Sequence, residues 1–349
     1  MSWVDVERLF VRQNARGAFP GGQLVVQRGE ERLIDLAVGT ARGWRGPEAT
    51  RVEVTPDTPF QVMSASKGVL AAAMARLDGR GLVDASAPVR RYIPDFVAGD
   101  VTLLDVLTHR SGITLPELSR RPELWADESA VAAALRSEPP TYPRGTLAYQ
   151  PIAFGWIVAE ILRRVTGESL EAFSRREFGA DLHWRYEGDA AETYWLGRER
   201  FMLNGTNLAT RFEETNNTIA ARTALVPGAG MYATARALAA FYARQVRDDS
   251  AAARRSTQPA SRGFDKITGA YVVLARGFGL GWRWPHPYGW WNTQLCFGHA
   301  GGFSVVAYAD RTTSSGVAIV TNGNRSVPDL VRRFAPLGSA IRRCLCRNR

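Results

Sequence analysis

The chain has 349 residues, 45% of them hydrophobic and 22% charged, a composition that builds a large globular core and excludes a disordered or fibrous protein. No run approaches the ~18 apolar residues of a membrane-spanning helix, and three cysteines (Cys296, Cys344 and Cys346) give no disulfide framework, which fits a reducing compartment. The net charge of +10 raises nucleic acid or an anionic surface as partners, yet the arginines are scattered among acids and only Arg342 to Arg349 form a basic cluster, so no nucleic-acid partner is expected.

Ser2 can cap a short helix whose Val6, Leu9 and Phe10 share a face. The first twenty residues hold Asp5 and Glu7 and no apolar core, so no signal peptide is visible and a cytoplasmic location is expected. After Gly21-Gly22, residues Gln23 to Gln27 read as a strand, Arg28 to Glu31 as a turn, and Arg32 to Val38 as the hairpin partner. Phe60 to Met63 lead into a helix from about Ser64 to Leu77, with an apolar stripe of Leu70, Ala73, Met74 and Leu77 and a stop at Gly79-Arg80-Gly81. Residues 82–265 are mostly helical in pattern. The strongest helix runs from Ala153 to Val165, and a second follows Met231-Tyr232-Ala233-Thr234. The polar stretch Asp248 to Arg262 reads as a long surface loop. Strands return near Leu280 to Trp284, Phe303 to Ala309 and Gly316 to Thr321, and a helix from Pro328 to Cys344 closes the chain. Strands at both ends with helices between them predict a mixed α/β (α+β) fold. Residues 1–81 and 266–349 would form a sheet domain, residues 82–265 a mainly helical inserted domain, with the active site at their interface.

Chemistry enters through lysine. Of 44 basic residues only two, Lys67 and Lys266, are lysine. Arginine stays protonated in proteins, whereas a buried lysine can be driven toward its neutral form and accept a proton. Lys67 stands three residues after Ser64, so the two share one face at the start of a helix. A desolvated amine can activate the hydroxyl, and the helix N-terminus favours a developing oxyanion. Two companions follow in order. Tyr149, in the loop Arg144 to Pro151, could relay protons if Lys67 lowered its pKa from the ordinary ~10. Next come His299-Ala300-Gly301-Gly302, whose glycines would let a substrate approach the backbone. There the N–H of Gly302 would complete an oxyanion hole with that of Ser64.

Ser64-x-x-Lys67, the Tyr149 loop and the His299-Ala300-Gly301 strand, in that order, resemble the penicillin-recognising serine hydrolases: class C β-lactamases, DD-peptidases and family VIII carboxylesterases. Phe60 to Met63, Leu103 to Gly112 (close to that family's "LLTHTSG"), Pro227 to Thr234 and Phe278 to Trp282 have counterparts there too. The resemblance covers about residues 20 to 325. It implies an antiparallel sheet domain of β-lactamase or transpeptidase type beside a helical domain, with an acyl-enzyme formed on Ser64. Two departures bear on substrate. Pro151 stands where β-lactamases and peptidases usually carry an asparagine whose carboxamide contacts the substrate amide. His299 replaces the usual lysine that favours a substrate carboxylate, and is mostly neutral at pH 7. Both changes occur among the esterases that the chain resembles, so a carboxylesterase acting on small to medium esters is the expected function. An acyltransferase, a β-lactamase or a D-amino-acid peptidase would share the same motifs. A retired hydrolase fold acting as a binding protein is the non-enzymatic alternative.

Trp282, with Trp284, Trp290 and Trp291, could wall an apolar pocket or pack the sheet. His109 reads as closing a helix or satisfying a buried backbone group. Lys266-Ile267-Thr268-Gly269 imitates the third motif with one residue too many. His183 and His286 have no metal spacing, the terminal Cys-x-Cys lacks a second ligand pair, and there is no Gly-x-Ser-x-Gly elbow, Walker loop or dinucleotide fingerprint. No metal and no cofactor is expected.

Overall fold

The computed structural model describes residues 1–347 except 198–201, 204–205, 208–211, 282–285, 291–294 and 303. Its centre is a nine-stranded antiparallel sheet. The N-terminal segment gives helix α1 (Trp3–Ala15) and strands β1 (Gly21–Arg28), β2 (Glu31–Arg42) and β3 (Val52–Glu53). The C-terminal segment gives β4 (Ser261–Phe264), β5 (Tyr271–Leu274), β6 (Gly279–Leu280), β7 (Cys296–Gly301), β8 (Val305–Asp310) and β9 (Ser315–Thr321), then helix α6 (Val327–Arg347). The strand order is β3-β2-β1-β9-β8-β7-β6-β5-β4. The two ends of the chain thus meet at β1 and β9, where Val25 pairs with Ala318.

Both faces of this sheet are covered, so its central strands are buried throughout rather than alternating with solvent. Successive side chains still go to opposite faces. Leu24 and Val26 join Val6 and Phe10 of α1 and Phe334, Leu337 and Ile341 of α6. Val25 joins the larger core on the other face. The chain start behaves as read: Ser2 and Asp5 form a reciprocal capping box on α1.

On the larger core's side lie α2 (Ser66–Gly79), α3 (Leu103–Leu107), α4 (Ala153–Thr166) and α5 (Ala235–Gln245). The expected stripe of α2 is buried, but so are Val69, Ala71 and Ala72, because the helix runs through the interior instead of along the surface. Its alanines and Gly68 admit close neighbours. A Cβ on Gly68 would sit 3.2 Å from Cζ of Tyr242 on α5.

The stretch Asp248 to Arg262 is not a long surface loop. Ser250 caps a short helix, Ala251–Ser256, whose Ala252 rests against Gly79 at the end of α2, and β4 begins at Ser261. The alanines that looked like loop filler are its buried face. Helix α5 packs across β9, β1 and β8, so the sheet and its cover also draw on residues 235–264. Among the described residues no helix is long and apolar enough to cross a membrane.

Candidate active site

Ser64 does not open α2. It lies in a 3-10 turn, Met63–Ala65, one step ahead of the helix. Phe60 pairs with Ala233 and Gln61 with Tyr232, and the Val62 N–H donates to Met231 O at 2.8 Å, which fixes the entry to that turn. Met63, immediately before Ser64, has φ +48. A buried, unbranched but bulky residue in the left-handed region is held there by its surroundings, and such strain gathers at functional sites. Ser64 is half-buried, while Lys67, one turn on, is fully buried.

Three oxygens surround the Lys67 amine. Nζ lies 3.2 Å from Ser64 Oγ, 2.6 Å from Pro151 O and 2.7 Å from Gly228 O. Burial lowers its pKa to about 7, since the interior disfavours the charged form. Two N–H bonds are committed to the two carbonyls. On losing its third proton the amine therefore turns a lone pair toward Ser64 Oγ. The carbonyl of Gly228 reaches this point because Gly155 of α4 has no side chain: a Cβ there would lie 2.6 Å from Gly228 Cα.

Tyr149 completes the cluster. Its hydroxyl neighbours Ser64, and its ring centroid lies 5.2 Å from Lys67 Nζ and 6.3 Å from the His299 ring. The expected lowering of its pKa by Lys67 is not what the environment produces. Burial raises it well above 10, the neighbouring Ser64 hydroxyl opposes that, and the nearby Asp265 carboxylate adds to it. At neutral pH Tyr149 is therefore a phenol, a donor beside a half-neutralised amine.

His299 lies on β7 beside Tyr149. Its Nδ1 donates to Ala300 O at 2.6 Å, leaving Nε2 as the acceptor of a neutral ring. Burial, helped by the adjacent Lys67, lowers its pKa to about 3. The side chain of Ala300 turns to the other face, against the α1 and α6 core, so it meets the site only through its carbonyl. Gly301 and Gly302 also permit a close approach between segments of the chain itself. A Cβ on Gly301 would fall on Val62 O and 2.9 Å from Ala65 N, and one on Gly302 would lie 2.5 Å from Met63 Cγ. Their bareness lets the strand end pass directly against the Ser64 turn, and Gly302 adopts φ +50 to do so.

Trp282, Trp284 and Trp291 lie outside the described residues. Trp290 belongs to the opposite layer, its backbone N–H donating to Ser339 Oγ of α6 at 2.6 Å. Lys266 is exposed at the tip of the β4–β5 hairpin, where Asp265 Oδ1 accepts from the N–H groups of Ile267 and Thr268. The third-motif imitation is a turn.

A hydroxyl on a strained turn, a buried amine beside it, a phenol within reach and a glycine-lined strand end are the groups that serine acyl-transfer chemistry uses. The chain matches the Beta-lactamase family over residues 6–339 and belongs to that family. It is 31% identical over 182 residues to the esterase/beta-lactamase LipL of Mycobacterium tuberculosis, a match covering 51% of this chain and 41% of that protein. The chain thus spans less than half the length of this curated relative. Among solved structures it resembles a penicillin-binding protein homologue from Caulobacter crescentus (25% identity, TM-score 0.79, covering 98% of this chain and 97% of that one). It also resembles a family VIII carboxylesterase (24% identity, TM-score 0.80, covering 96% and 97%).

Sequence reasoning missed the two carbonyls on Lys67, because a backbone acceptor leaves no residue-type signal. The only traces are Gly155 inside a helix and the Pro227-Gly228 pair. Gly301→Val should cost about 1–3 kcal/mol through overpacking against the Ser64 turn. Urea unfolding of the purified variant checks this, and a stability equal to wild type would refute the contact.

Proposed function

We propose that the protein is a carboxylesterase that forms an acyl-enzyme on Ser64. The observation that carries this reading is the Lys67 amine, 3.2 Å from Ser64 Oγ and brought by burial to a pKa of about 7. Neutral Lys67 takes the hydroxyl proton as Ser64 Oγ attacks the ester carbonyl carbon. The N–H groups of Ser64 and Gly302 hold the resulting oxyanion. Collapse breaks the bond to the alkoxide, to which Tyr149 gives its proton, and the Lys67 ammonium restores the phenol. Water then attacks the acyl carbon, its proton passes through the same pair to Ser64 Oγ, and the acid leaves. Lys67 and Tyr149 act as a coupled pair.

A small neutral ester is the substrate class that fits. Pro151 presents no carboxamide, and His299 is a neutral ring where a cation would be needed to hold a carboxylate. The likeness to an esterase/beta-lactamase at 31% identity over 182 residues supports esterase chemistry without bearing on the charge of the substrate.

Wild type should hydrolyse p-nitrophenyl butyrate, and Ser64→Ala and Lys67→Arg should each lose ~10³-fold or more in kcat. Equal rates for wild type and Ser64→Ala would rule out Ser64 as nucleophile. Turnover of nitrocefin with no turnover of the ester would replace the esterase reading by a β-lactamase.

The pH dependence has a definite sign. Lys67 must be unprotonated to act, so kcat/KM should fall as pH drops below about 7 and level off above it. A profile flat from pH 5 to 8 would contradict the assignment. At pH 7.5, a p-nitrophenyl ester with a terminal carboxylate on its acyl chain should react ~10-fold or more slowly than its neutral methyl ester. Competing initial rates for the two test this, since each unpaired charge carried into a low-dielectric site costs binding energy.

A further inference from the structure

The loop that carries Tyr149 is fastened to the segment after α3. Gly145 N–H donates to Arg110 O at 2.8 Å and Thr141 N–H to Gly112 O at 2.9 Å. Two more bonds close on the loop two residues either side of the tyrosine, where Leu147 O accepts from the Lys266 N–H at 3.0 Å and Pro151 O from Lys67 Nζ at 2.6 Å. The anchors on the residues adjoining Tyr149 come from one residue. His109 O accepts from the Ala148 N–H at 3.0 Å, and His109 Nδ1 accepts from the Gln150 N–H at 3.3 Å. The N–H groups of the two residues on either side of Tyr149 are thus held by the main chain and the side chain of a single histidine. Its ring also stands edge-on to Tyr149, with centroids 4.8 Å apart, and is backed by Phe154 of α4 at 5.3 Å.

We propose that His109 is the positioning residue for Tyr149, holding the phenol at Ser64 through its Nδ1 acceptor and its ring edge. This deepens the esterase reading and rests on Tyr149 being a proton donor there. The backbone of His109 is part of the arrangement. Its φ is +56, a left-handed conformation that His, Asn and Asp adopt more readily than other side-chain-bearing residues. Nδ1 accepts only when it is unprotonated. Burial, with the Lys67 and His299 groups facing it, keeps the ring neutral by lowering its pKa well below the usual histidine range, so the proton sits on Nε2. His109 touches neither Ser64 nor the reacting atoms in this scheme; it acts through Tyr149.

The chemistry offers a matched pair of variants. Asparagine places Oδ1 on the same carbon that carries Nδ1 in histidine and tolerates the left-handed backbone. Leucine fills similar space without an acceptor. Steady-state kinetics on p-nitrophenyl butyrate would be measured for wild type, His109→Asn, His109→Leu, Tyr149→Phe and the His109→Leu/Tyr149→Phe double variant. Thermal melts of each would accompany the kinetics.

His109→Leu should lower kcat ~10²-fold, the loss a misplaced catalytic group produces, with KM within ~3-fold of wild type. His109→Asn should recover to within ~10-fold of wild type. In the Tyr149→Phe background His109→Leu should cost less than ~3-fold, because the group it places is already gone. An equal loss in both backgrounds, a loss that follows melting temperature instead of the acceptor, or full activity of His109→Leu would each overturn the positioning role while leaving Tyr149 in place. Full activity of Tyr149→Phe would overturn the role assigned to Tyr149, and the role of His109 with it.

Discussion

The burial of one amine organises this site. Lys67 is inaccessible in the first part of α2, where every residue from Ser66 to Met74 is buried, and an unsatisfied amine there would cost several kcal/mol. Its three partners come from three separate parts of the chain: the Ser64 turn, the loop ending at Pro151 and the loop at Gly228. Satisfying Lys67 therefore requires those segments to meet, and where they meet the site is formed. The same three neighbours serve both protonation states. An ammonium donates to all three oxygens. A neutral amine donates to the two carbonyls and accepts from the serine, so the proton can move with no rearrangement of heavy atoms. Preorganisation of this kind is what makes electrostatic catalysis inexpensive at the moment of reaction.

Close backbone approach is the second constraint, and it is met by glycine at two seams. Gly155 lets the Gly228 loop lie against α4, and Gly301 with Gly302 lets the end of β7 lie against the Ser64 turn. Each seam joins an element of the sheet or its cover to one carrying a site residue. A methyl group at any of the three positions would force apart segments whose separation sets the Lys67 and Ser64 geometry. Met63 in its left-handed conformation is the residue wedged at the second seam, so its strain is maintained by contacts from β7.

Much of this was legible in the sequence, for particular reasons. Hairpin β1–β2 was marked by the turn at Arg28 to Glu31 between two strand-forming runs, and α4 by its helical pattern, which stops at Gly167. The order of the serine, tyrosine and histidine motifs carried the family. What stayed hidden was set by tertiary contact. The helix at Ala251–Ser256 looked like loop because its only apolar residues are alanines, which bury well but signal weakly. The expected lowering of the Tyr149 pKa followed from a nearby cation. In the fold, burial of the ring and of Lys67 together outweighs that attraction, since a lysine whose own charge is suppressed has little to offer a phenolate. The carbonyls on Lys67 have no side-chain signature at all.

These shifts share a direction. Burial moves Lys67, His299 and Tyr149 each toward its neutral form, so around Ser64 charge is scarce before reaction begins. On the proposed mechanism the first proton transfer creates two charges at once, an ammonium on Lys67 and an oxyanion on the substrate, close together in a medium that screens them poorly. Their attraction exists in the transition state and not in the bound ester, which is the condition for lowering a barrier rather than merely tightening binding. A permanent cation at position 299 would change that balance. It would repel the nascent Lys67 ammonium and would attract any substrate that is already anionic. With a neutral histidine there, the proposed mechanism rewards charge formed during the reaction, and the residue that distinguishes this chain from the β-lactamase and peptidase pattern is then also the one on which the proposed preference for uncharged esters rests.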